Sequence, residues 1–237
     1  MKQALTDIHQ HLLWGMDDGA DTPETMYAML REARSQDIQT VVATSHAEPG
    51  FLPFDLGLYT ERLAEAQGFC EAEKLGLRVL PGAEVAWTYQ TPLALRQGKV
   101  PTIGGTDYVL LELWRNTSWY AARDAVKQLS RAGYCPVLAH PERYLAFLRS
   151  PKNAQRFRRE TGALLQLNAG TILAPRNHWE RRFAGYLLHE AAVDAVASDA
   201  HDCAGRPVNL EAAYQWLTVH TDETYAKTLT TFGGALI

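Results

Sequence analysis

A (β/α)7 barrel is the fold class this sequence predicts, on three observations. Short apolar, often β-branched runs alternate with helix-like segments along the whole chain. The steps from His11 to His46, Glu84, Glu112, His140, Asn168 and Asp199 are each about 30 residues, enough for a strand, a loop, a crossover helix and a return loop. Side chains able to hold a metal stand at the carboxyl ends of these runs, which meet at one mouth when a parallel sheet closes. Alternation and spacing alone admit a parallel sheet, closed or open. Seven units favour the ring, because an open sheet would scatter those ligands along an edge.

The first run ends in Ile8-His9-Gln10-His11. A helix is expected from Thr22-Pro23-Glu24, where a hydroxyl can cap, proline suits the first helical position and an acid follows. Met26, Leu30 and Ala33 then recur on one face. The second strand, 40–44, delivers His46, and a helix over 59–75 is expected to stop at Gly76. Residues 77–85 read as the third strand, carrying Glu84, and 108–113 as the fourth, carrying Glu112. After a helix over 120–132, the fifth strand, Cys135–Ala139, leads to His140. The sixth, 163–167, ends at Asn168, which either hydrogen-bonds near a metal site or only ends the strand, and the seventh, 192–197, ends in Ser198-Asp199-Ala200-His201. Helices over 210–219 and Glu223–Thr231 close the chain. No linker, low-complexity run or charge block interrupts it, so residues 1–237 read as a single domain.

Composition narrows the function classes. A chain of 237 residues that is 46% hydrophobic can bury a barrel-sized core without disulfides or structural zinc. A net charge of −4 gives no general reason to expect a nucleic-acid partner. The arginines at 156, 158, 159, 176, 181 and 182 fit a solvated helix surface, or steering of an acidic substrate. Cys70, Cys135 and Cys203 form no CxxC pair, and the opening residues lack the apolar core of a signal peptide. No apolar stretch approaches the roughly 18 residues of a membrane span. A reducing cytoplasm is the expected location, with no membrane insertion.

His9 and His11 lie two apart, so on a strand both point to one face and can share an ion. That pair alone is a weak signal. Joined to Asp199 and His201 on the last strand, next to the first in a closed ring, it becomes a strong one. Imidazoles mixed with carboxylates and no thiolate suit Mn, Fe or Zn. Asp17-Asp18, bracketed by Gly15 and Gly19, puts adjacent carboxylates in a loop where a cation relieves their repulsion; a plain turn is the alternative. Arg143 stands three residues beyond His140, and Arg206 five beyond His201. Guanidinium forks at a metal-lined rim suit a phosphoryl group. His178, His189 and His220 fall in helical contexts and read as structural or surface residues. Trp14, Trp87, Trp114 and Trp119 follow strands and form either a wall at the mouth or core packing. The proline-rich loop 48–54 is placed to shape access.

Asp7-Ile8-His9-Gln10-His11, Asp17-Asp18-Gly19-Ala20, Thr44-Ser45-His46, Gly82-Ala83-Glu84-Val85, the 138–144 segment with His140-Pro141-Glu142-Arg143-Tyr144, and Ala197-Ser198-Asp199-Ala200-His201 resemble motifs of the PHP (polymerase and histidinol phosphatase) superfamily. In order and wording they are most similar to the PHP-type protein-tyrosine phosphatases of bacterial capsule and exopolysaccharide operons, over residues 5 to 220. The resemblance implies a distorted (β/α)7 barrel holding three divalent metal ions, usually Mn2+. It implies one ion on His9, His11, Glu84 and Asp199, and a second sharing Glu84 with Glu112 and His140. A third falls to Asp18, His46 and His201, with Arg143 and Arg206 on the phosphate. The C-terminal segment from Thr231 departs from the asparagine-proline tail expected of such proteins.

The implied activity is hydrolysis of phosphotyrosine on a protein, a bacterial tyrosine kinase with a tyrosine-rich tail, by a metal-activated hydroxide. His201, or an acid near it, is the candidate proton donor to the leaving oxygen. Cysteine-based phosphatase chemistry needs an arginine six positions after the nucleophile, and those positions hold Gly76, Pro141 and Asn209. Two other readings stand beside it: a small-molecule phosphatase acting on histidinol phosphate or a sugar phosphate, and a scaffold that binds the kinase without turnover.

Overall fold

Parallel strands occupy all seven expected positions in the computed structural model, which describes residues 4–235. They are β1 (Leu5–Gln10), β2 (Ile38–Ala43) with β3 (His46–Ala47), β4 (Arg78–Pro81) with β5 (Glu84–Ala86), β6 (Tyr108–Glu112), β7 (Cys135–Ala139), β8 (Leu164–Asn168) and β9 (Ala195–Ala197). The ladders run β1-β2-β4 and β3-β5-β6-β7-β8-β9. β2 passes into β3, and β4 into β5, after a two-residue break, so the two sheets form one distorted (β/α)7 barrel. Its seam, between β9 and β1, is the parallel bridge of Gln10 with Ala200. There Asp199 N–H donates to His9 O at 2.9 Å and His11 N–H to Ala200 O at 2.8 Å.

The second strand was expected to reach 44 and the third to run unbroken over 77–85, and the reason they do not is Tyr59. Its buried hydroxyl lies 3.1 Å from Ala43 O and 2.9 Å from Gly82 O, and accepts Gly82 N–H at 2.8 Å. A side chain thus supplies the partners that the neighbouring strand would have offered. Gly82 is required there, because a Cβ would sit 2.4 Å from Val42 Cγ1. The last strand begins at Ala195 rather than 192, since the Tyr225 hydroxyl takes both Val193 N–H (3.1 Å) and Val193 O (3.0 Å).

The helices are α1 (Pro23–Ser35), α2 (Leu56–Ala72), α3 (Thr91–Arg96), α4 (Trp119–Arg131), α5 (Leu145–Leu148), α6 (Pro151–Thr161), α7 (Ala169–Leu173), α8 (His178–His189), α9 (Leu210–His220) and α10 (Glu223–Thr231). Thr22 caps α1 by accepting Thr25 N–H, and Met26, Met29, Leu30 and Ala33 are its buried face. α2 ends at Ala72, short of the expected 75, because Lys74 turns into the left-handed region (φ 54°) ahead of Gly76. Along the strands, alternate residues serve two cores. Val109, Leu111, Leu138 and Val196 pack outward with the helices. Ile8, Val42, Leu110, Val137, Ala139, Ala195 and Ala197 fill the barrel with Ile103 and Phe232. Phe232 gives the atypical C-terminal segment a structural role as a plug for that inner core; the segment's last two residues lie outside the described ones. Among the described residues no helix is long and apolar enough to cross a membrane.

Candidate metal centre

Strand ends bring the predicted side chains together at the barrel's carboxyl-end mouth. His9 and His11 leave the end of β1, His46 opens β3, Glu84 opens β5, Glu112 ends β6, and His140 and Asp199 follow β7 and β9. His140 (φ 33°) and Asp199 (φ 55°) both occupy the left-handed region, which is uncommon for residues other than glycine and marks positions held by their surroundings. The Asp17-Asp18 loop folds back on His11, where Ala20 N–H donates to His11 O at 3.1 Å. Gly19 permits that approach, since a Cβ would come within 2.0 Å of His11 O.

Glu84 is the centre of the arrangement. One of its oxygens lies 2.5 Å from His140 Nε2; the other is 3.1 Å from His9 Nε2, 3.2 Å from His11 Nε2 and 3.3 Å from His46 Nδ1. Ligand-grade atoms form four overlapping groups: His11, Asp18, His46 and His201; His9, His140 and Asp199; His9, His11 and Glu84; and His46, Glu84 and Glu112. All nine predicted residues appear: His9, His11 and Glu84 group within the first set that the resemblance implies, and Asp18, His46 and His201 group as the third with His11 beside them, while the other two groups mix the sets. His140 stands with His9 and Asp199, and Glu112 with His46. Arg143 and Arg206 both reach Asp199 Oδ2, Arg206 at 2.7 Å, with each side chain about a third exposed.

Ionisation states follow from this crowding. Burial opposes charge on His11, but hydrogen bonds to Asp17 and Glu84 outweigh it and raise its pKa to about 10. Burial likewise opposes charge on Asp17, yet its bond to His11 lowers it to about 2. Glu84 is held well below the usual carboxylate range: the charges of His9 and His140 overcome its burial. Glu112 rises to about 8 through burial and the charge of Glu84. His201 falls to about 4 through burial and repulsion from His11 and Arg206. These residues fit divalent cations. The mixture of imidazole and carboxylate is apt, and two buried atoms at its heart, Asp199 Oδ1 and His201 Nε2, make no hydrogen bond.

Residues outside the nine predicted ligands hold the cluster in place. Asp17 Oδ2 accepts from His11 Nδ1 and from His46 N–H, both at 2.8 Å, while the adjacent Asp18 faces His46 and His201. Gln166 Oε1 accepts from His9 Nδ1 at 3.0 Å, and Gln166 Nε2 donates to Asn168 Oδ1. Asn168, which sequence left open between a strand end and a site residue, donates to Asp199 Oδ2 at 2.6 Å and from its backbone to buried Glu142 at 3.0 Å. Bonds at Nδ1 leave Nε2 of His9 and His11 free to ligate. The paired acids were a signal for Asp17; nothing in the strand pattern marked Gln166. Asp17→Asn is expected to weaken divalent-metal affinity about 10–100-fold with the fold retained, read by metal titration beside circular dichroism.

His178, His189 and His220 are exposed, as the sequence suggested. Of the four tryptophans, Trp114 is half exposed and lines the grooves beside the centre. Trp14 instead donates to Glu65 at 3.0 Å under the Arg62 guanidinium, and Trp119 packs edge-on against Phe157. Loop residues Glu48, Leu52, Pro53 and Phe54 line the groove that also holds Asp18 and His46.

A parallel barrel with imidazoles and carboxylates gathered at its carboxyl-end mouth places this chain in the class of metal-centred barrel hydrolases. The chain belongs to the CpsB/CapC family of capsular polysaccharide synthesis, whose model matches residues 5–235. The tyrosine-protein phosphatase CpsB of Streptococcus agalactiae is 31% identical over 216 residues, covering 89% of this chain and 88% of that protein. A crystal structure from work on YwqE of Bacillus subtilis and CpsB of Streptococcus pneumoniae, described as metal-dependent tyrosine phosphatases, superposes with a TM-score of 0.84 at 28% identity, covering 93% of this chain and 90% of that one. The phosphotriesterase homology protein of Escherichia coli is similar in fold alone, with a TM-score of 0.59 at 10% identity over 96% of each chain.

Proposed function

We infer that this chain is a metal-dependent protein-tyrosine phosphatase. The observation that carries the reading is that two guanidiniums, Arg143 and Arg206, meet at Asp199, the carboxylate that also faces His9 and His11. Phosphate-binding forks and a metal-grade cluster thus share one edge. His9, His11, Asp18, His46, Glu84, Glu112, His140, Asp199 and His201 would hold divalent ions, three Mn2+ in this reading, which when bound would supply a nucleophile from water and neutralise phosphoryl charge.

The chain's own groups do the rest. Arg143 and Arg206, each partly exposed, turn their free donors to the phosphoryl oxygens and stabilise charge as it shifts. Asn168 and the two arginines hold the Asp199 carboxylate still. Of His201 and an acid near it, the acid is the proton donor to the leaving phenolate oxygen in this reading, because His201 is held neutral with Nε2 offered to the metal site; that leaving group needs little help. The substrate is phosphotyrosine on a bacterial tyrosine kinase that controls exopolysaccharide or capsule synthesis, encountered in the cytoplasm. The family match and the relatives named tyrosine phosphatases favour this over histidinol phosphate, a sugar phosphate or binding without turnover.

The test is phosphate release from a phosphotyrosine peptide by protein stripped of metal and refilled with Mn2+, with histidinol phosphate alongside. Mn2+-dependent release from the peptide, reduced about 100-fold or more in Arg143→Ala, is expected. Turnover of histidinol phosphate alone would overturn the substrate assignment, and no turnover with metal bound would favour the scaffold.

A further inference from the structure

Two grooves flank the metal centre and meet at Trp114 and Glu112, which line both. On one side, a groove of about 660 Å3 carries Asp17, Asp18, Glu48 and Asp55 among apolar residues such as Leu52 and Phe54. On the other, a groove of about 520 Å3 runs past His140 and Arg143 and is lined by Arg115, Leu148, Arg176 and Glu180. Arg143, Arg176 and Glu180 also line a neighbouring cavity of about 300 Å3 that reaches Arg206. Two further guanidiniums, Arg115 and Arg176, therefore line the space beside the arginines assigned to phosphate.

Three arginines and three glutamates line this second groove, but their exposure is unequal. Glu142 is buried and accepts Asn168 N–H, and Glu180 is buried and paired with Arg176. Glu112 faces His46 and His140 in the metal centre. Arg176 keeps 68% of its side chain exposed although it is paired. Arg115 is exposed and has no ion-pair partner among the described residues. Beside them the Trp114 ring stands 52% exposed in a lining otherwise apolar at Leu113 and Leu148.

We propose that the groove of Trp114, Arg115 and Arg176 is a docking track for polypeptide next to the phosphotyrosine, selecting segments with acidic side chains there. This rests on the phosphotyrosine reading above and adds to it which sequences the site takes. The apolar wall accepts the stems of the flanking residues, and the two guanidiniums accept their carboxylates as charge-assisted partners. Glu48 and Asp55 in the groove across Trp114 repel the same side chains, so the preference has a direction as well as a sign.

Binding is tested with two peptides carrying a non-hydrolysable phosphonomethyl-phenylalanine, one flanked by Glu and one by Gln, by fluorescence anisotropy on the Mn2+-loaded protein. Turnover of free phosphotyrosine is measured in parallel. At low salt the Glu peptide is expected to bind about three- to fivefold more tightly, an advantage that shrinks as salt screens it. That advantage should disappear in Arg115→Ala and Arg176→Ala. It should survive in Arg123→Ala, whose guanidinium lies over the Trp119 and Tyr120 rings instead. Equal binding of the two peptides, or a preference that survives both substitutions, overturns the proposal. So does self-association that depends on Arg115, which would make a second copy the occupant. Turnover of phosphotyrosine without a Glu preference leaves the phosphatase reading standing and removes the track; a Glu preference with no turnover does the reverse.

Discussion

Glu84→Gln is expected to abolish activity, lowering kcat by about 1000-fold or more, and to lower bound metal at the same time. The carboxylate faces four imidazoles, those of His9, His11, His46 and His140, and is 1% exposed. A carboxamide keeps the shape, but it removes the charge and replaces one acceptor with a donor facing ring nitrogens. Losing a group that acts only beside its metal partners costs more than losing a supporting contact, for which the usual range is about 10–100-fold. Metal analysis after desalting, beside turnover of a phosphotyrosine peptide, checks the prediction. Full metal content in the variant would remove Glu84 from the ligand set.

Chelation is expected to lower the melting temperature by roughly 8–16 °C. Metal at about a thousandfold over its Kd contributes roughly 4 kcal/mol to the folded state, and a chain of this length shifts about 2–4 °C per kcal/mol. The metal-free state should also depend on pH in a specific way. His11 is raised to about 10 in the folded protein, so its contribution is complete below the ordinary value of 6.5 and is lost as pH climbs toward 10. Glu84 is lowered, so its contribution is present above the ordinary 4.5 and is lost as pH falls through the folded value. His201 is lowered to about 4, so burying it neutral contributes above 6.5 and fails as pH falls toward 4. Glu112 is raised to about 8, so its contribution is complete below the ordinary 4.5 and is lost as pH climbs toward 8. Metal-free protein should therefore lose stability as pH rises from 6.5 toward 10, where His11 and Glu112 act in the same direction. Thermal melts across pH with and without Mn2+ check both statements; identical melts would mean that the cluster does not couple metal to the fold.

Much of the architecture was legible because strand ends carry chemistry. His46, Glu84, Glu112, His140 and Asp199 could be placed one per βα unit, and parallel connectivity then leaves one mouth for them to share. Helix limits set by local chemistry were also legible: Thr22-Pro23 opens α1, and α10 spans Glu223–Thr231 as read. The interruptions were not, because they depend on a residue from another element. Tyr59 belongs to α2, and nothing near Ala43 or Gly82 announces that its hydroxyl will stand in for the ladder. The part played by Asp17 was hidden for the same reason. The resemblance assigned Asp18 to His46 and His201, but only the fold-back onto His11 turns its neighbour toward the imidazole Nδ1.

The sequence by itself determined the periodicity, the seven units and the residue types at their ends. These are local properties: propensity, capping and the spacing of apolar residues act over a few positions. Only the tertiary structure decided which atoms face one another. It set the Gln166 and Asn168 supports beneath His9 and Asp199, the role of Phe232 as a plug, and the unequal charge of the two grooves beside Trp114. Each of these joins residues far apart in the chain, and their distances and burial exist only once the barrel has closed and excluded water.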